Sequence, residues 1–272
     1  MTRFLLLLLL AASSSASAIV IRHDVDDAQY RVAASAFPAL ADMPGEGHGV
    51  LIAPQWVITA AHTISWQHAV KTVTLNGVVR DVAHIEIHPG YKPPPQALIN
   101  QALASGEWIL AVNQIASSDD IALIKLAQPV ADVAPVALYP GNEHIDKVVQ
   151  IIGKGATGNG ETGHAPTGPN RTELRRAFNK VTSAHERWFC YVFDAPESAS
   201  ALPLEGKTGS GDSGGPVLIE TDGQWQLAGL AAWGLIHGDV RVTRPGLYGQ
   251  FTCNVRLSHY RDWIKQVIAE QP

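Results

Sequence analysis

The chain is 272 residues long, 46% hydrophobic and 17% charged, with a formal net charge of −5 at pH 7. That much apolar sequence can bury a sizeable core in one large or two small domains, and a mildly acidic balance with no basic stripe excludes nucleic acid as a partner. Glycine (24) and proline (17) are plentiful while long periodic helices are scarce, which predicts an all-β fold of short strands and turns.

Residues 1–18 read as a signal peptide. Arg3 gives a positive start, Phe4 to Ala12 is an apolar run too short to span a bilayer, and Ala16-Ser17-Ala18 is a small-residue cleavage site. The expectation is an exported chain, secreted or periplasmic, that begins at Ile19. No later stretch is long and apolar enough to span a membrane, so no membrane attachment is expected after cleavage. Cys190 and Cys253 are the only cysteines. They either form one bridge or remain as two buried thiols.

The mature chain opens on the apolar Ile19-Val20-Ile21. Val50 to Thr59 reads as two β-rich runs around a Pro54 turn, closed by Ala60-Ala61-His62. Val70–Val79 and Val82–Ile87 read as strands broken at Asn76-Gly77 and again at Arg80-Asp81. Residues 96–116 carry a weak helical pattern interrupted by Gly106, read as an inserted loop with one short helix. Asp119-Asp120 open the apolar strand Ile121–Leu126, and Gln128–Tyr139 links two halves. The second half predicts strands at Lys147–Ile152, Val181, Phe189–Phe193, Val217–Ile219, Gln226–Trp233 and Gly246–Cys253, with a mobile Gly- and Thr-rich loop over Gly153–Asn170. A terminal helix is expected with Ser258 as N-cap and Tyr260, Trp263, Ile264, Val267 and Ile268 on its buried face.

Three short motifs carry chemistry. In Gly-Asp-Ser-Gly-Gly-Pro, glycines let the backbone turn tightly around Ser213 and expose its hydroxyl. A serine nucleophile needs a base, an acid to orient the base, and donors for an oxyanion. His62 ends a strand in Thr-Ala-Ala-His, and Asp120 begins Asp-Ile-Ala-Leu. Asp120 is preferred over Asp119 because it shares a strand face with Ala122. The order His, Asp, Ser argues against an esterase of the α/β-hydrolase type, whose order is Ser, Asp, His. The other ten histidines read as surface or core residues. Gly206-Lys207-Thr208 is not a phosphate loop, because position 201 is alanine. No clustering suggests a metal site, and no cofactor is called for.

With these motifs, and with Gln55-Trp56-Val57, Trp233-Gly234 and Pro245-Gly246-Leu247-Tyr248, the mature chain resembles the chymotrypsin/trypsin family of serine endopeptidases. The resemblance implies two six-stranded antiparallel β-barrels, residues 19–138 and 139–272, with a C-terminal α-helix and a site in the cleft between the barrels. It implies a secreted endopeptidase, with Ser213 as nucleophile, His62 as general base and then acid, and Asp120 holding the imidazole. Backbone N–H groups of Gly211 and Ser213 would form the oxyanion hole. Ala232, Trp233 and Gly234 would offer substrate a strand edge, and Asp212 would pair with an Ile19 ammonium freed by signal cleavage. It further implies polypeptide substrates, protein protease inhibitors as partners, and a monomer. The alternative from another class is a catalytically silent protease-like binding protein; such a chain usually loses a triad member, and this one keeps all three.

The departures from that family are specific. Gly47 and Thr63 replace a cysteine pair, Gly209 replaces another cysteine, which implies a looser pocket, and Ala232 replaces a serine that commonly supports the triad acid. Lys207 stands where trypsin-like enzymes keep an acid at the pocket floor. Its ammonium either faces the pocket, rejecting Arg and Lys and favouring Glu or Asp, or turns to solvent and leaves a neutral pocket lined by Thr208 and Gly246. The unbridged loop favours the second.

Overall fold

The computed structural model describes residues 19–65, 70–165 and 173–270; the signal segment expected over residues 1–18 lies outside them. The first strand, β1 (Val20–Ile21), is followed by six strands that close a barrel. These are β2 (Leu40–Asp42), β3 (His48–Ala53), β4 (Trp56–Thr59), β5 (Thr72–Leu75), β6 (Val78–Ile87) and β7 (Ala122–Leu126), arranged β2-β3-β4-β7-β6-β5. Their β-branched and leucine side chains suit a pleated, half-buried surface, and Leu51, Val57, Leu75 and Ile124 are wholly excluded from water inside it. A short helix, α1 (Ala61–Ser65), leaves the end of β4.

Between β6 and β7 lie α2 (Gln96–Ser105) and α3 (Ile109–Ala116), two helices rather than one. Gly106 adopts φ 79° and closes α2 in the left-handed C-cap conformation, so the interruption in the pattern is a helix end. Asn76-Gly77, at φ 48° and 77°, makes the β5–β6 turn as anticipated. Arg80-Asp81 does not break the next strand, because Asp81 pairs with Thr72 and Arg80 reaches Asp132 at 2.5 Å from a partly exposed strand face.

The second half contains β8 (Val148–Gly153), β9 (Gly158–Asn159), β10 (Gly163–His164), β11 (Arg175–His185), β12 (Trp188–Val192), β13 (Gly206–Lys207), β14 (Pro216–Thr221), β15 (Gln224–Leu235) and β16 (Phe251–Arg256). Six of these close a second barrel in the order β11-β12-β16-β15-β14-β8. The all-β reading with two six-stranded antiparallel barrels therefore holds. Cys190 on β12 lies opposite Cys253 on β16, and the two form a disulfide. The loop expected over Gly153–Asn170 is partly structured: β9 and β10 form a hairpin beside β1, while residues 166–170 lie outside the described set. The last strand begins at Phe251 rather than Gly246.

The chain ends in α4 (Arg261–Glu270), which follows a single 3-10 turn at Leu257–His259. Ser258 does not cap it; its Oγ is buried with no hydrogen-bond partner among the described residues. Ile264 and Val267 are buried as the periodicity required. An apolar cluster through the seam joins Ile58 and Leu123 of the first barrel with Leu230 and Val255 of the second and Ile264 of α4. Burial of that surface fixes the barrels relative to each other and so positions the cleft.

Candidate active site

His62 and Asp120 come together through the pairing of β4 with β7. Thr59 lies opposite Ala122 in that antiparallel pair. His62 follows Thr59 into α1, and Asp120 precedes Ala122, so the two meet at one end of the barrel. Asp120 Oδ2 is 2.6 Å from His62 Nδ1, and its Oδ1 accepts the His62 backbone N–H at 2.8 Å. One carboxylate thus grips both the ring and the backbone of the histidine. A hydrogen on Nδ1 directed at Asp120 leaves the lone pair on Nε2, the arrangement a general base requires.

The neighbouring Asp119 is committed elsewhere. Its Oδ1 accepts from Arg187 Nε at 2.6 Å and from Tyr260 Oη at 2.9 Å. Burial opposes ionisation there, yet these bonds hold the carboxyl below its usual range.

Ser213 sits in the turn between β13 and β14, pressed against the segment that leads to His62. Its carbonyl accepts the His48 N–H at 2.7 Å, and the Gly214 N–H donates to Ala231 O at 2.7 Å. Gly214 has φ 72°, and a Cβ there would fall 2.3 Å from both His48 O and Thr59 Oγ1, so only glycine permits this approach. Ser213 is half-buried and lines one cavity with Ala232, Trp233 and Gly234. A second cavity holds His62, Asp120 and Tyr91 and shares Ala232 with the first. The N–H groups of Asp212, Gly214 and Gly215 are bonded within the turn or to β15, whereas those of Gly211 and Ser213 donate to no group among the described residues.

Asp212 is almost wholly buried, and N–H groups of Gly209, Gly155, Ile19 and Lys154 converge on its carboxylate, with 2.8 Å from Gly209 and 2.7 Å from Gly155. Burial pushes the carboxyl up to about 6 against the pull of these donors. Ile19 is itself fully buried, and its carbonyl accepts from Thr157 Oγ1 at 2.8 Å. The structure therefore brings Ile19 and Asp212 together.

The missing cysteines are replaced by close packing. The Thr63 methyl stands 2.9 Å from where a Gly47 Cβ would lie. A Cβ on Gly209 would fall 2.1 Å from Ala156 O, and Ala156 N–H donates to Ser210 O at 2.5 Å. The loop is braced by backbone contacts, not loose as the absent disulfide suggested.

Lys207 corrects the expectation of a solvent-facing side chain. It is 5% exposed, it lines the cavity beneath Ser213 together with Thr208, and its Nζ lies 3.8 Å from the place of a Gly234 Cβ. The pairing of Val20 with Lys207 in the β1–β13 ladder carries the side chain inward. Gly246 is not on the cavity wall; it sits behind His164, with its own N–H bonded to Gln250 Oε1 at 2.7 Å. Like Ser210, Gln250 and Thr252, His164 on β10 is a lining residue that sequence reasoning missed. Its only sequence signal was a polar ring in a glycine-rich loop, and its place depends on the hairpin beside β1.

The geometry thus joins one histidine–aspartate pair from the first barrel with one serine turn from the second, and the family model described as Trypsin matches residues 28–264. The chain belongs to the trypsin family.

Proposed function

We propose that this chain is an exported serine endopeptidase that hydrolyses peptide bonds through an acyl-enzyme on Ser213. Trypsin-family membership supports a serine-type peptidase acting on polypeptides. The observation that carries the finer reading is the double hold of Asp120 on His62, at 2.6 and 2.8 Å, beside a serine turn with two uncommitted N–H groups. In this reading His62 Nε2 takes the Ser213 proton as Oγ attacks the scissile carbonyl, and later gives it to the leaving amine. Asp120 keeps the imidazole in the required tautomer and stabilises its cation. The Gly211 and Ser213 N–H groups bind the oxyanion of the tetrahedral intermediate. Water then repeats the sequence on the acyl ester. The substrate backbone adds to β15, whose residues beyond Leu230 pair with β16 alone and leave an edge at Ala232–Gly234.

Cleavage after Ala18 is the activating step in the same proposal. Ile19 has φ 63°, a value a β-branched residue avoids because of the carbonyl that precedes it. Freeing the nitrogen removes that carbonyl and supplies an ammonium to the buried Asp212 carboxylate, which otherwise lacks a counter-charge of its own. Intact-mass analysis of the active protein should give a chain starting at Ile19; an active form starting well downstream removes this route.

The nucleophile is tested by labelling with a serine-directed fluorophosphonate. The native chain should label and Ser213→Ala should not. Equal labelling of both would rule Ser213 out.

A further inference from the structure

We propose that the cavity beneath Ser213 is built to take a carboxylate, so that the chain cuts after glutamate or aspartate, with Lys207 as the residue that selects it and His164 as the neutral wall beside it. The proposal rests on the endopeptidase reading above and names its substrate class.

The first observation is an uncompensated buried cation. Lys207 is 5% exposed, and its ammonium makes no hydrogen bond or ion pair with any described residue. Taking a charge out of water without a partner is costly, and buried charges in proteins are therefore paired. The acid whose field reaches Lys207 is Asp212, and N–H groups from Gly209, Gly155, Ile19 and Lys154 already occupy its carboxylate. Lys207 has been carried into the cavity by the β1–β13 ladder and left to find an anion there. A substrate carboxylate entering beneath Ser213 is that anion.

The second observation is the wall opposite acceptors. His164 Nε2 accepts the Ser210 N–H at 3.1 Å, which places the ring hydrogen on Nδ1. That Nδ1 faces Gly246 behind the ring, on the side of the Pro245 backbone, so the ring meets the cavity as a fixed neutral face and not as a donor. Desolvation, together with the Lys207 charge, pushes His164 down to about 4, so it is a neutral wall beside the cation. No aspartate or glutamate among the described residues lines the cavity, so an arginine or lysine side chain meets an ammonium and finds no counter-charge there. The cavity holds about 170 Å³, room for a side chain of several heavy atoms. Gly234 leaves the wall beside the ammonium without a side chain, since a Cβ there would fall 2.9 Å from Phe251 O and 3.8 Å from Nζ.

The test uses chromogenic tetrapeptide amides that differ only in the residue before the scissile bond: Glu, Asp, Gln, Leu or Arg. Glu and Gln have nearly the same shape and differ in charge. The native chain should favour Glu over Gln by about tenfold or more in kcat/KM, and Lys207→Met should bring the ratio near one. In parallel, tetrapeptide acids ending in the same residues are titrated against Ser213→Ala, which reads the cavity without any turnover. The Glu-ending peptide should bind several-fold more tightly than the Gln-ending one. Binding preference without hydrolysis or fluorophosphonate labelling would sink the peptidase reading and leave the cavity assignment standing. Equal Glu and Gln, a preference for Arg or Leu, or a Glu preference that survives in folded Lys207→Met overturns the assignment. If Lys207→Met does not fold, the native Glu-to-Gln ratio in the two assays decides.

Discussion

Asp119 and Asp120 are adjacent carboxylates with different duties, and the difference lies in their partners. Asp120 bonds His62 at two atoms, whereas Asp119 ties Arg187 and Tyr260 to the end of β7. Asp120→Asn should therefore lower kcat by about four orders of magnitude with little change in KM, because the amide stabilises the wrong imidazole tautomer. Asp119→Asn should leave kcat within a few-fold and cost about 1–3 kcal/mol of stability, read by urea unfolding. Lys207 gives a second residue-scale prediction. Burial pushes its ammonium down to about 8 from 10.5. Its folded value lies below the unfolded one, so its burial penalty is full below about 8 and is relieved as pH rises toward 10.5. The kcat/KM ratio of Glu over Gln substrates should accordingly fall above pH 8. His164, down at about 4, and Asp212, up at about 6, keep one protonation state through that window. An Ile19 ammonium paired with Asp212 affects both substrates alike, so the ratio isolates Lys207.

Strands with clean β-branched runs were legible in the sequence, and elements whose form depends on distant partners were not. The barrel strands, the Asn76-Gly77 turn and the apolar stripe of α4 follow from local pattern and turn chemistry. Arg80-Asp81 looked like a break because polarity was taken for a turn, although a strand with one open face accepts it. The β9–β10 hairpin was invisible because two-residue strands have no periodicity, and with it went His164. Asp120 and Ser213 were legible because each stands at a fixed offset from a buried strand. The direction of Lys207 was not, since it depends on β1, which lies at the other end of the sequence. At this scale the disulfide closes a loop of 63 residues across β12 and β16. Replacing both Cys190 and Cys253 by alanine should cost about 4 kcal/mol on the chain-entropy account, read by denaturant unfolding. Labelling at Ser213 should persist at low denaturant, since neither sulfur lines the cleft.

The proposed chemistry lies on a seam, with the His62–Asp120 pair on one barrel and the Ser213 turn on the other. Gly214 is one place where the two touch closely. Gly214→Ala would force a Cβ within 2.3 Å of His48 O and Thr59 Oγ1 at a φ that suits glycine alone. It should cost about 1–3 kcal/mol in backbone strain and abolish most activity while each barrel still forms, a split visible as lost turnover with retained far-UV dichroism. The position of β1 has a different consequence, one of timing. Its two residues stand ahead of both barrels in the chain, yet their partners β9 and β13 belong to the second half. Residues made ahead of both barrels are thus fully seated only after much of the second barrel has been made. Until position 207 has been made they lack their antiparallel partner, and a polypeptide interrupted before that point holds neither the Asp212 cradle nor Lys207. The order of emergence along the chain acts as a clock that keeps partial products inert.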